Sequence, residues 1–280
     1  MHLIMMLVAL SLAWYLRLRW SESQQKWAQR WQRSLLLFLF PPLMLIVTAV
    51  SVLCMGPKGN MVGCWDGWLS QLLGLGFLGI AVFLFLKLAQ EGYHSLQQIR
   101  TYPQHEIDGK PARILNAPNL FTAYVGFWHS ELVISQGLLQ TLAPAHLEAV
   151  LAHEQAHYHY RDTFWFFWLG WLRQLTTWLP NTDALWEELL TLRELRADAK
   201  AAQQVDALLL AESLLFVVSY PHLVSENFCA AFSVVAPSNR LVQRIDALLD
   251  PQQDEPAFNW WFWILLTLAF LPLVAVPFHY

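Results

Sequence analysis

Residues 153–157 read His-Glu-Gln-Ala-His, two imidazoles one helical turn apart with a carboxylate beside the first. In a chain of 280 residues with 10 His and 12 Glu, chance would produce this spacing only about 0.015 times. The pattern therefore carries information. Pro144 is a good first helical residue, and Leu147, Val150 and Leu151 recur at helical spacing. His153 and His157 are thereby placed on one helix face, where both can ligate a single zinc ion. Glu154 can reach a zinc-bound water but is out of line to be a third ligand. The bland alternative is a pair of partly buried histidines on an ordinary amphipathic helix.

A catalytic zinc site needs a third protein ligand and an open position. The strongest source is the helical stretch Asp183–Gln203, where Trp186, Leu190, Glu194 and Asp198 recur every four residues. The two acids continue a row begun by apolar residues, and an acid on a buried row needs a partner. Glu194 is the expected third ligand, and Asp198, one turn on, the expected carboxylate behind a ligating histidine. Pairing of Glu194 with a basic side chain is the competing reading. Glu187 and Glu188 are rival ligands, though acids are favoured at a helix start in any case. Arg193, Arg196 and Lys200 fall on another strip, expected to face solvent.

The elements around these residues are set by composition. Hydrophobic residues make up 56 % of the chain and charged residues 14 %, about half the ~25 % charged share of soluble domains. Four stretches are apolar enough to be read as membrane spans: Met1–Leu16, Ser34–Met55, Trp68–Leu86 and Ala257–Phe278. Pro41 and Pro42 should kink the second. Residues 1–16 lack the basic start and cleavage site of a signal peptide, so they read as an uncleaved anchor. Arg17, Arg19, Lys26, Arg30 and Arg33 crowd the loop 17–33, against Lys58 alone in 56–67. Positive charge stays inside, which puts 17–33 and 88–256 in the cytoplasm and both chain ends outside. The expected layout is a three-span anchor (1–87), a cytoplasmic domain (88–256) and a fourth span (257–280).

Phe164–Leu179 and Leu208–Val218 are also apolar, but each is broken by a charge and too short to favour a crossing. A lone crossing by 164–179 would put Glu194 and His153 on opposite sides of the membrane. Its aromatics (Phe164 to Trp168, then Trp171) instead suit a helix lying against an interface or the domain core. Phe121–Val125 and Glu131–Ser135 read as short strands.

The run Phe121–Asp162 resembles the core of the membrane zinc peptidases related to the beta-lactam sensor-transducers. More distantly, it is similar to HtpX-type stress proteases and CaaX prenyl proteases. Residues 193–201, RELRADAKA, resemble the second motif of those families, and Arg244, Ile245 and Leu248 a weaker third. The resemblance implies a mostly α membrane protein: four transmembrane helices plus a cytoplasmic α+β gluzincin-type peptidase domain with a small sheet. It further implies one Zn2+ per chain held by His153, His157 and Glu194. Glu154 would be the general base, and an edge strand, Phe121, Thr122, Ala123, Tyr124 and Val125, would hold the substrate backbone. The sensor-transducers continue into an extracellular ligand-binding domain where this sequence stops at Tyr280, so detection of beta-lactams is not implied.

Three readings follow. A plasma-membrane metalloendopeptidase would cut a cytoplasmic or membrane-associated protein such as a repressor. An HtpX-like enzyme would trim membrane proteins for quality control. A zinc-binding scaffold without turnover would have no use for Glu154. Residues 88–257 carry a net charge of −9, which mildly favours a basic substrate, and no long basic patch suggests nucleic-acid binding. Tyr220 and His222 are candidates to stabilise an oxyanion. The remaining histidines, among them His94, His105, His129, His146 and His159, have no partner spacing. A Cys54–Cys64 bond would form if their loop met an oxidising compartment; two free thiols fit equally well.

Overall fold

The computed structural model describes residues 2–21, 27–57, 64–107, 109–128, 130–219, 240–249 and 260–278. The fold is mostly helical with one small mixed sheet. Its residues group into two compact units, one of 1–87, 171–189 and 254–280, the other of 88–170 and 190–253. The stretch 171–189, expected within the cytoplasmic domain, thus groups with the apolar ends of the chain.

The first unit contains α1 (His2–Leu18), α2 (Trp27–Met55) and most of α3 (Cys64–Arg100). It ends in α10 (Trp260–Thr267) and α11 (Leu271–Val274), separated by a single 3-10 turn. Only α2 and α3, among the described residues, are long and apolar enough to cross a membrane. The outer two of the four expected spans are shorter apolar helices. Much of α3 presents bare apolar side chains, including Leu72, Leu75, Phe83 and Leu86.

Helix α2 runs unbroken through Pro41 and Pro42. A proline lacks the N–H that would bond the carbonyl four residues back, so Pro42 releases the carbonyl of Phe38. Arg17 supplies a replacement, donating from Nη2 to that oxygen at 3.4 Å and from Nη1 to Thr182 at 3.2 Å. The sequence reading placed Arg17 in the basic loop 17–33. Arg17 lies in the last turn of α1 and is fully buried, its guanidinium over the Phe38 ring. Arg30, another member of that cluster, grips Glu188 with two hydrogen bonds of 2.7 and 2.9 Å. Cys54 is a free, exposed thiol; the side chain of Cys64 lies outside the described residues.

The second unit holds the sheet: β1 (Gln104–Ile107), β2 (Lys110–Leu115), β3 (Thr122–Val125) and β4 (Glu131–Ser135), in the order β1-β2-β4-β3. The β2–β4 pair is parallel and the other two are antiparallel. Sequence reading found β3 and β4 but not β1 and β2, whose connection turns through Gly109 at φ +73°. Gly137, opening α4 (Gln136–Thr141), sits so close to the chain that an added Cβ would meet the Pro118 carbonyl at 2.1 Å. One sheet face, carrying Ala112, Leu132, Ile134 and Tyr124, packs on Leu147, Val150 and Leu151 of α5 (Pro144–Tyr160). The other side of α5 offers Ala149 and Ala152 to Leu210 and Leu214 of α8 (Ala207–Ser219). The apolar stretch 208–218 is therefore a core helix.

Candidate metal centre

Both histidines project from α5. The helix starts at Pro144 without a side-chain cap and stops at Arg161, whose backbone adopts the left-handed conformation (φ 53°, ψ 44°). For a non-glycine residue this is an uncommon conformation that reverses the chain within one position. The reversal brings Asp162, first residue of α6 (Asp162–Leu175), back onto the helix it has just left. Its Oδ2 lies 2.7 Å from His157 Nδ1. His153 is backed from another helix, with Nδ1 2.8 Å from Asp198 Oδ1. At that distance the carboxylate forms an ion pair with the imidazole whenever the ring is charged.

With each Nδ1 facing a carboxylate, the two Nε2 atoms point inward. They stand 3.1 Å apart. Glu194, on α7 (Thr182–Ala201), closes the triangle, with Oε2 3.3 Å from His153 Nε2 and Oε1 3.6 Å from His157 Nε2. Four tetrahedral donors about 2.0–2.1 Å from a central ion are about 3.3–3.4 Å from one another. The observed separations bracket that value. These three residues could hold a metal ion, and they form such a group among the described residues without Glu187 or Glu188. The stretch 164–179 does not separate His153 from Glu194.

The row foreseen on α7 is buried throughout: Trp186, Leu190, Glu194 and Asp198 are all 5 % exposed or less. The strip holding Arg193 and Arg196 is a correction, since neither faces solvent. Arg193 is buried, hydrogen-bonds Glu194 Oε1 at 2.6 and 2.9 Å and lies over the Phe166 ring. Arg196 pairs with Asp162 and lies over Tyr160. Acidic partners and aromatic faces make burial of a guanidinium tolerable where solvent exposure was expected.

Arg244, on α9 (Leu241–Leu249), has, like Asp162, a role that sequence reasoning missed. It donates two hydrogen bonds to Asp198, at 2.7 and 2.8 Å, and reaches Glu194 Oε2 at 3.4 Å. The third sequence motif pointed to the position without saying what it did.

Burial opposes charge at every group here, and specific partners override it. Burial would push His153 down, yet Asp198 and Glu194 hold it up, to about 10. His157 is raised likewise, by Glu194 and Asp162 against burial. Glu194 is held well below the usual carboxylate range despite burial, by Arg193, His157 and Arg244. Asp198 is lowered against burial by Arg244 and His153. The centre is built to favour positive charge at the imidazoles, whether carried by protons or by a metal dication. Glu154 behaves differently: burial raises it, and the neighbouring histidines only partly offset this. Tyr124 on β3 is close enough to feel the Glu154 charge, and its ring meets that of Tyr158 at a tilt of 36° with centroids 4.9 Å apart.

Of the expected substrate strand, Thr122–Val125 is β3 and pairs only with β4, so its other edge is free among the described residues. Phe121 lies just before it, its N–H bonded to Ser135 Oγ. Tyr220 and His222 lie outside the described residues.

Residues 103–220 match peptidase family M48. The M48 match covers somewhat under half of the chain, taking in the sheet, α5 and the α7 acids but not Arg244. It supports a metallopeptidase, in agreement with a His-His-Glu group placed to bind a metal. No curated protein and no solved structure matches the chain.

Proposed function

We propose that this chain is a zinc-dependent membrane endopeptidase with Glu154 as general base and His153, His157 and Glu194 as ligands. The observation that carries this reading is the convergence of the two Nε2 atoms and the Glu194 carboxylate at 3.1–3.6 Å. The chemistry that a bound zinc ion supplies is Lewis-acid polarisation of a peptide carbonyl and of the attacking water. Glu154 accepts a proton from that water and delivers it to the leaving amine, and the upward shift of its carboxyl suits a group that must also act as an acid. Asp162 and Asp198 hold the imidazoles in the orientation that aims both Nε2 atoms inward. The free edge of β3 takes the substrate backbone by strand addition.

The apolar helices act as a membrane anchor, with four spans crossing so that both ends lie outside and the peptidase domain of 88–256 is cytoplasmic. The exposed apolar face of α3 suits lipid. The substrate is a cytoplasmic or membrane-associated protein, a repressor being one such. A second reading, trimming of membrane proteins, draws on Trp128 and Trp165, which stand exposed around the Phe127–Phe164 pair just beyond β3. Tryptophan at that place suits a site working at the lipid interface. The fragments that accumulate in membranes holding the wild-type chain, compared with those holding Glu154→Gln, separate the two. A soluble regulator fragment favours the first and membrane-protein fragments the second. Identical patterns in both membranes would overturn the peptidase reading.

A further inference from the structure

The sheet and α5, the helix that carries both histidines, border a half-open cavity of about 410 Å³ that the chemistry above does not use. Its walls include Lys110, Tyr124, Ser130, Leu132, Gln155 and Tyr158. The register explains the grouping. Ala112, Leu132 and Tyr124 are cross-strand neighbours on the face toward α5, and Lys110, two residues before Ala112, points to the same face. From α5, Tyr158 lies one turn beyond Glu154, which sets the cavity next to the general base.

The polar lining is biased toward donors. Lys110 hydrogen-bonds the neutral amide of Gln155 and meets no carboxylate within ion-pair distance among the described residues. Burial, then Glu154 and Tyr158, push the Tyr124 phenol up, so it remains a donor. The one carboxylate in the wall among the described residues, Glu131, is already committed to Arg113 at 2.8 Å and Arg100 at 3.3 Å. Glu148 lines an adjoining space of about 260 Å³, which shares Lys110, Tyr124, Leu132 and Gln155 with the cavity; it lies two turns back from Gln155 along α5 and makes no ion pair with Lys110 among the described residues. An anion is therefore favoured at the Tyr158 end of the groove and disfavoured at the Glu148 end.

We infer that this cavity is a specificity pocket for a carboxylate of the bound peptide, with Lys110 as the determining residue. The inference rests on the peptidase reading for its ligand, a peptide held on β3. The carboxylate is supplied by an Asp or Glu side chain or by a peptide's C-terminus. The overall negative charge of the domain does not oppose this, because recognition at one residue is set by the groups within a few ångströms.

The test uses full-length, zinc-loaded Glu154→Gln protein and fluorescent peptides differing only as Glu against Gln, each as a free acid and as a C-terminal amide. Acidic peptides should bind about 5–10-fold more tightly. Lys110→Met should erase the difference, Lys110→Arg should keep it, and Lys110→Glu should invert it in favour of the Gln peptides. Preference for Glu in the amidated set assigns the side chain, and preference confined to free acids assigns the chain end; both support the pocket. Equal binding of acidic and amide peptides, or a preference untouched in Lys110→Met, would overturn it. Cleavage of the same peptides by the wild-type chain is followed in parallel. Acid-selective binding without any cleavage would remove the peptidase reading and leave the pocket standing.

Discussion

Arg244 donates two hydrogen bonds to the carboxylate of Asp198 across 46 residues of sequence, at 2.7 and 2.8 Å. Asp198 in turn faces His153 Nδ1, and the same guanidinium reaches Glu194. One buried cation thus holds both α7 acids in place. Arg244→Ala would leave two buried carboxylates short of a partner, and removing one member of a buried pair typically costs ~3–5 kcal/mol. Thermal unfolding in detergent should show a clear loss of stability, and zinc titration a weaker site. Arg244→Lys should recover charge but not the two-pronged geometry, falling between. An Arg244→Ala protein with wild-type stability and zinc affinity would contradict this account.

Glu154→Gln separates catalysis from metal binding. The change preserves side-chain size and leaves His153, His157 and Glu194 intact, so one zinc per chain should remain by metal analysis. Turnover should fall by ~10²–10⁴-fold, the usual contribution of a general base. Wild-type cleavage by the zinc-loaded variant would refute the proposed role.

Glu194→Ala should act on the metal itself. Two histidines alone leave a zinc site short of a ligand, so the purified variant should carry well under one zinc per chain. Chelation of the wild-type chain should abolish cleavage, and added zinc should restore it to the wild type but poorly to the variant. Full occupancy in Glu194→Ala would show that another acid is the ligand.

The two histidines have different supports, and this makes a paired prediction. Asp162→Asn removes the partner of His157, and Asp198→Asn that of His153. Each should lower metal affinity or activity about 10–100-fold. Asp198→Asn should also destabilise the fold through Arg244, and Asp162→Asn through Arg196. Zinc affinity read against melting temperature distinguishes loss of orientation from loss of stability. Unchanged zinc affinity in either variant would remove that carboxylate from the site.

Topology is testable without any activity. A reporter fused after Arg100 should behave as cytoplasmic and one inserted near Asn60 as external. The reverse labelling would overturn the orientation.

The sequence by itself determined the features that repeat along one element. His153 and His157 share a face because a helix turns once in 3.6 residues, and the row Trp186, Leu190, Glu194, Asp198 is buried for the same reason. The strand Thr122–Val125 was legible from its local pattern, and an apolar stretch is visible wherever the chain makes one. The tertiary structure decided what those elements meet. Arg193 and Arg196 looked like solvent-facing cations, since nothing local shows that Glu194 and Asp162 would neutralise them. Asp162 reaches His157 only because Arg161 turns left-handed, a single-residue event without periodicity. Arg17 caps a carbonyl freed by a proline on the next helix, and Arg244 joins the site from far down the chain. A buried charge needs a partner, but burial fixes only the need; which residue meets it depends on the packing of distant segments, which leaves no regular trace in the order of residues.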